Sequence, residues 1–369
     1  MKKYRKLLIV LAINIIAIGS LKAQIKEIDF LKGGVGDAEI LFREYLRPYA
    51  NAFGADLNGG WYNTAKPHKL GGFDVTVTVS GAWAPDMHQT MNLSELGLEA
   101  AISGESSIAP TIAGKPTDQR PTLMYSTENP VSGGEVSLAE YKVPNGTGLN
   151  FIPVPMAQAS IGLPFGTDIT GRFLPSLDLG KTGNIGLWGV GLKHSILQHI
   201  PVLKRIPVID ASVQGGYTQM NSYANVTFTP DAYSFAENLV TDNLIFKGQK
   251  VNMDVQAYTV NLVLSQTLPV VTFYQAIGYS TTKTRLALDG IYPVADIDTD
   301  SESDYYGQLV VKDGEDYRIE DPIDAEVENT KDLRLNIGMR IKLGVLTIHG
   351  DYTKANYSMV TAGIGISFR

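Results

Sequence analysis

The chain contains no cysteine. That rules out a disulfide framework and leaves nothing to accept a lipid behind an export signal. Beyond its first residues it also lacks any run of roughly eighteen apolar residues, the length a helix needs to cross a bilayer. Histidine is sparse and scattered at His68, His88, His194, His199 and His349, and no paired-histidine motif, phosphate loop or nucleophile elbow is present. No catalytic residue, cofactor or metal site is therefore expected. Positive charge is not in excess either, since the formal net charge is −7, which disfavours nucleic acid as a partner.

The first residues, MKKYRK, are basic, and Leu7 to Ile18 is apolar before Ser20-Leu21-Lys22-Ala23. This reads as a secretory signal over 1–23, cleaved after Ala23, because the apolar stretch is too short for a retained anchor. Removing Lys2, Lys3, Arg5, Lys6 and Lys22, with no acidic residue among them, takes the net charge from −7 to −12.

In the exported part, Leu333, Leu335, Ile337, Met339, Ile341 and Leu343 alternate with Asp332, Arg334, Asn336, Gly338, Arg340 and Lys342. A period of two puts alternate side chains on opposite faces of a strand, and this run is longer than the usual globular strand of about five or six residues. Strand candidates recur at 73–83, 95–103, 155–163, 167–174, 184–194, 208–220, 270–286, 345–353 and 357–368. Gly, Ser and Thr fill the second face, as a crowded or water-filled lumen allows and a soluble sandwich facing bulk water does not. In 250–267 the apolar phase changes near Ala257-Tyr258, which predicts a bulge. Adding 134–142 makes the number even and predicts a transmembrane antiparallel up-and-down β-barrel over 73–369 of about twelve strands, or about fourteen if the long loops hide another pair.

Tight joints at 163–166, 268–270 and 343–345 should face the periplasm, and the polar stretches 221–250 and 287–331 the cell exterior. The connector 195–205 should carry a turn or two of helix around Ile196, Ile200 and Leu203. Leu286 to Lys331 holds fourteen Asp or Glu against Lys312, Arg318 and Lys331 and reads as a solvated loop. Its Asp296-Asp298-Asp300-Glu302 series lacks the glycine and the distal Glu of a calcium loop. Diffuse binding of divalent ions beside lipopolysaccharide is the milder use of that cluster.

Ahead of the first strand, residues 24–72 form a separate segment. Asp37 to Tyr49 reads as a short helix, with Asp37 as its cap, Ile40, Leu41, Tyr45 and Leu46 on one face, and Pro48 weakening its last turn. Together with Trp61 it is a candidate plug for the lumen, the alternative being a periplasmic tail. Arg172, Asp254, Arg334, Arg340 and Lys342 are candidate lumen charges, alongside Asp74, Asp168 and Asp210. They would either brace a plug or form a selective constriction.

The run Asn58-Gly59-Gly60-Trp61-Tyr62-Asn63-Thr64-Ala65-Lys66-Pro67-His68-Lys69-Leu70-Gly71-Gly72-Phe73-Asp74, with Gly162-Leu163-Pro164-Phe165-Gly166-Thr167 and Gly189-Val190-Gly191-Leu192-Lys193-His194, resembles a family of outer-membrane barrels of unknown function from Bacteroidota. More loosely, a barrel with an N-terminal insert is similar to the long-chain fatty-acid transporter group. The first resemblance implies a plugged barrel and carries no activity. Two expectations follow for a protein lodged in outer-membrane lipid. The leading one is a passive channel or transporter for a small hydrophobic or amphiphilic molecule, and the alternative is a non-transporting structural or interaction barrel, in envelope integrity, adhesion or a secretion complex, with unidentified protein partners.

Overall fold

The computed structural model describes residues 29–178, 180–199, 208–234 and 236–368. The expected signal over 1–23 lies outside them. Ten strands form the wall: β1 (Phe73–Trp83), β2 (Phe151–Leu163), β3 (Thr167–Asp178), β4 (Gly183–Ser195), β5 (Ile209–Asn225), β6 (Lys250–Thr267), β7 (Val271–Asp289), β8 (Ile323–Leu343), β9 (Leu346–Lys354) and β10 (Met359–Phe368). Each pairs antiparallel with its neighbours in the chain, and β10 returns to β1 from Phe73↔Phe368 to Ala82↔Met359. The barrel is thus closed and up-and-down, with no free edge.

Ten strands replace the expected twelve or fourteen. The segment 95–103 contributes only Ala101–Ser103, and Glu135–Lys142 pairs with Thr122–Glu128 in a small sheet outside the wall. Local alternation describes a loop hairpin as well as a wall strand, because only length and partner distinguish them.

The tight turns gather at one end with Phe73 and Phe368, where Gly344 supplies a positive φ of 62° and Phe165, unusually for a bulky residue, adopts 61°. The connectors 84–150, 226–249 and 290–322 lie at the other end. Short connectors occur there too, at 179–182 and 355–358, so the expected alternation of long and short joints is not strict. The acidic block is structured rather than free. Its outer parts extend β7 and β8, and Ile291–Pro293 pairs with Arg318–Glu320. Leu309–Lys312 pairs with both Glu237–Leu239 and Asp296–Ile297. In the 195–205 connector the described part is one 3-10 turn, Leu197–His199; residues 200 to 205, including Leu203, lie outside the described set.

No bulge occurs at Ala257-Tyr258, where β6 stays in register with β5 and β7 throughout. What changes there is the surroundings. Toward the tight-turn end Val260, Leu262 and Leu264 point outward while Thr259, Asn261 and Ser265 point in. Toward the long-loop end Asn252, Asp254 and Gln256 point outward while Val251, Met253, Val255 and Ala257 are buried inside. Strand β7 inverts at the same level, from outward Ile277 and Tyr279 to Lys283 and Arg285, and β8 goes from outward Leu333 to outward Asp324 and Glu326 across a register shift opposite Thr282–Thr284. Trp188, Tyr217 and Tyr258 mark the boundary as a row of rings, with centroids 5.5 and 4.9 Å apart.

Inside the long-loop half runs α1 (Val35–Leu57), longer than the expected 37–49 because it continues past Pro48. Leu41, Phe42, Leu46 and Tyr49 are buried with Met253, Val255, Leu286 and Val327 in the main core, which the loop residues Leu93, Ile112, Leu123 and Tyr141 complete. That packing outweighs one missing backbone hydrogen bond at Pro48. The helix is not long and apolar enough to cross a membrane.

Candidate functional site in the lumen

The expected plug residues all lie inside the molecule, but Asp37 is not a helix cap. The cap position is Gly34, which has no side chain to offer. Asp37 instead reaches the 84–150 loop, where its carboxylate accepts from the Glu99 and Ala100 amides at 3.0 and 3.1 Å and from Tyr125 Oη at 2.9 Å. Farther along α1, Tyr45 donates to Asn145 O at 2.7 Å, and Tyr49 meets Thr147 Oγ1 at 2.9 Å and Leu149 O at 3.1 Å. Burial pushes the Tyr49 phenol up to about 12. The start of the plug is therefore bound to the loops, and Leu41 is wholly buried between them and the wall.

Its far end is held by the wall. A helix leaves its last carbonyls without partners and carries partial negative charge there, and α1 has no basic residue in its own last turn. Two wall arginines supply what is missing. Arg172 on β3 donates to Leu57 O at 2.9 Å and to Gly59 O at 2.7 Å, and Arg334 on β8 donates to Asn58 O at 2.7 Å. Thr218 Oγ1 adds a second donor to Leu57 O at 3.2 Å. Both arginines are buried. Asp56, fully buried in the last turn, forms no ion pair within 4.0 Å among the described residues.

Below the helix, residues 58–72 thread the lumen toward the tight-turn end. The Arg172 guanidinium stacks over the Trp61 ring, 3.8 Å from its centroid. The indole also lies against Gly191 and Gly216, where a Cβ would come within 2.7 and 2.5 Å of the ring. Tyr62 meets Tyr274 edge-on at 6.1 Å. Ala65 N donates to Ser265 Oγ at 3.0 Å, and Thr64 Oγ1 lies 3.4 Å from the same oxygen.

At the bottom His68 is clasped between carboxylates. Its Nδ1 is 3.0 Å from Asp168 Oδ2, its Nε2 is 3.2 Å from Asp74 Oδ2, and its backbone N–H donates to Asp168 Oδ1 at 2.8 Å. Lys193 Nζ completes the group, 3.0 Å from Asp168 Oδ2. Gly71 and Gly72 then exchange backbone bonds with Gly162 of β2, and the chain turns up into β1.

Of the expected lumen charges, Arg172 and Arg334 meet the plug and Arg340 is buried across from His349 on β9. Lys342 is half-buried opposite Thr347 near the tight-turn end. Asp254 is a correction, since it points outward and accepts from Asn221 Nδ2 at 2.6 Å. It stands in the part of β6 where the water-facing side has become the outside. Lys193 and His68 are the members that sequence reasoning missed. Lys193 had a signal, because it shares the lumen phase of β4 with Gly189 and Gly191.

The acidic motif in the outer loop is occupied internally. Asp298 is bonded to Ser303 Oγ at 2.6 Å and paired with Lys312 Nζ at 3.2 Å. Among the described residues no three His, Cys, Asp or Glu side chains come together as metal ligands.

A family model described as a family of unknown function, DUF6588, matches residues 1–368. No curated protein matches the sequence. Among solved structures the chain is similar to the translocator domain of autotransporter NalP from Neisseria meningitidis, at 9% identity and a TM-score of 0.28, covering 82% of this chain and 90% of that one. It is also similar to the outer membrane protease OmpT from Escherichia coli, at 8% identity and 0.30, covering 80% and 97%. The transport unit of the autotransporter AIDA-I from Escherichia coli is a third, at 8% and 0.29, covering 88% and 98%. The roles of those three proteins are their own.

Proposed function

The chain belongs to the DUF6588 family, a family of unknown function, and we propose that it is an outer-membrane barrel sealed by its own N-terminal segment, serving as a structural or interaction barrel. The band of outward apolar side chains supports the location. From Leu333 to Leu343, at about 3.3 Å per residue and a tilt of about 40°, it is about 25 Å tall, the height of a bilayer's apolar layer. The expected signal at 1–23 fits the same reading.

The observation that carries the seal is the threading of 58–72 through the lumen, with Trp61 packed against Arg172 and the glycines of β4 and β5. A sealed lumen shifts the working surface to the loops, which are knitted into small sheets and carry most of the acid. In planar bilayers the intact protein should show no persistent conductance, and the Arg172→Ala, Arg334→Ala double variant should open intermittently. Steady conductance through the intact protein would overturn the seal.

One observation favours a second reading, passive uptake of a small hydrophobic or amphiphilic molecule after the plug shifts. Asp56 is fully buried in the last turn, where burial pushes its carboxyl well above the usual carboxylate range against the Ala82 backbone hydrogen bond and the Arg334 charge, and a displaced helix would return it to water. The looser likeness to fatty-acid transporter barrels belongs with this reading. Liposomes carrying the intact protein that take up an apolar fluorescent probe, with uptake lost when the plug is cross-linked to the wall, would establish it over the first.

A further inference from the structure

Two of the scattered histidines meet at the tight-turn rim. His194 is the penultimate residue of β4 and His199 closes the 3-10 turn that follows it, and their Nε2 atoms are 3.1 Å apart with ring centroids at 5.4 Å, so the rings meet tip to tip. Thr167 Oγ1 lies 2.8 Å from His194 Nδ1. Gln198 Nε2 donates to Phe165 O at 2.7 Å and sits 3.0 and 3.2 Å from the two imidazole Nε2 atoms. An amide has two hydrogens. Phe165 takes one, so a single hydrogen is left for two facing imidazole nitrogens. With the ring hydrogens at Nδ1, the two Nε2 lone pairs face each other across the 3.1 Å gap.

We propose that His194 and His199 chelate a late first-row divalent cation of the Zn2+ type at this rim. Two imidazole nitrogens bound to tetrahedral zinc at about 2.05 Å lie about 3.3 Å apart, so the spacing changes by a few tenths of an ångström while each ring turns by about 35° to aim its lone pair at the ion. Thr167 is the positioning residue. By accepting from Nδ1–H it fixes the tautomer that presents the Nε2 lone pair, the usual arrangement behind a ligating histidine. Solvent fills the remaining positions, which makes this an open, exchangeable site. The ion would tie the end of β4 to the 3-10 turn that follows it, beside the β2–β3 turn, where Phe165 is 85% exposed. The lumen plays no part, because the neighbouring Lys193 turns inward to Asp168. The site therefore does not depend on the seal.

The test is calorimetric titration of the full-length protein in detergent with Zn2+, using Mg2+ and Ca2+ as comparisons. One Zn2+ per chain is expected, at least tenfold weaker binding in His194→Ala and in His199→Ala, little further loss in the double variant, and a smaller loss in Thr167→Ala. A second readout needs no variant: Zn2+ should slow diethylpyrocarbonate modification of His194 and His199, mapped by mass spectrometry. Zn2+ affinity unchanged in the double variant, or both rings modified equally fast with and without Zn2+, would overturn the proposal and leave the contact as a hydrogen bond between imidazoles.

Discussion

Arg172 lays its guanidinium 3.8 Å from the centroid of Trp61 while its terminal nitrogens hold the carbonyls of Leu57 and Gly59. One wall side chain thus fixes both the end of α1 and the chain that continues from it. Because charge-assisted hydrogen bonds contribute about 1.5–3 kcal/mol each, Arg172→Ala should weaken plug docking by about 3–5 kcal/mol. Arg172→Lys should recover only part of this, since a lysine cannot fork between two carbonyls and stack at once. Bursts of bilayer conductance and the thermal midpoint of the folded barrel check both.

The slot for Trp61 exists because Gly216 and Gly191 have no side chains. A Gly216→Val variant should expel the indole, red-shifting Trp61 emission in a background where the other two tryptophans are replaced. Trp61→Ala should suppress that defect. Additive losses in the double variant would show that the two residues do not meet.

The inversion of the wall near Tyr258 makes a positional forecast. Ile337→Arg, in the middle of the apolar band, should cost about 2–4 kcal/mol in insertion into liposomes, whereas Gln256→Arg, beyond the band, should cost about 0–1 kcal/mol. Folding yields followed by gel mobility compare the two.

Much of the wall is legible in the sequence, and β1 and β6 can be bounded there to the residue. The reason is physical: a strand with different surroundings on its two faces must alternate. The same test misplaces Asp254, because it assumes that one face meets water along the whole strand, whereas β5 to β8 rise out of the apolar band and exchange their faces. Arg172 and Arg334 can be assigned to the lumen from their phase. Their partners cannot, since main-chain carbonyls of the plug leave no trace in residue identity. His68 is invisible for a related reason, as its carboxylate partners lie on β1 and β3 and only the closed barrel brings them together.

Tyr49 should give the plug an alkaline limit. Its folded value of about 12 lies above the ordinary phenol value of 10.0, so the folded chain keeps a proton that the unfolded chain releases. Its contribution is complete below pH 10 and is lost as the pH rises through 12. Protease cleavage in the 84–150 loop should increase across that window, and Tyr49→Phe should flatten the part of the transition due to this group.

The position of the plug can be measured directly because the chain has no cysteine of its own. Thr64 and Ser265 present side-chain oxygens 3.4 Å apart, one on the threading segment and one on β6. In cells carrying Thr64→Cys and Ser265→Cys together, mild oxidation of the outer membrane should convert most of the protein to a faster-migrating, reducible species on denaturing gels, with neither single variant doing so. A folded, membrane-inserted double variant that stays reduced would contradict the account, because residues 58–72 would then not occupy the lumen.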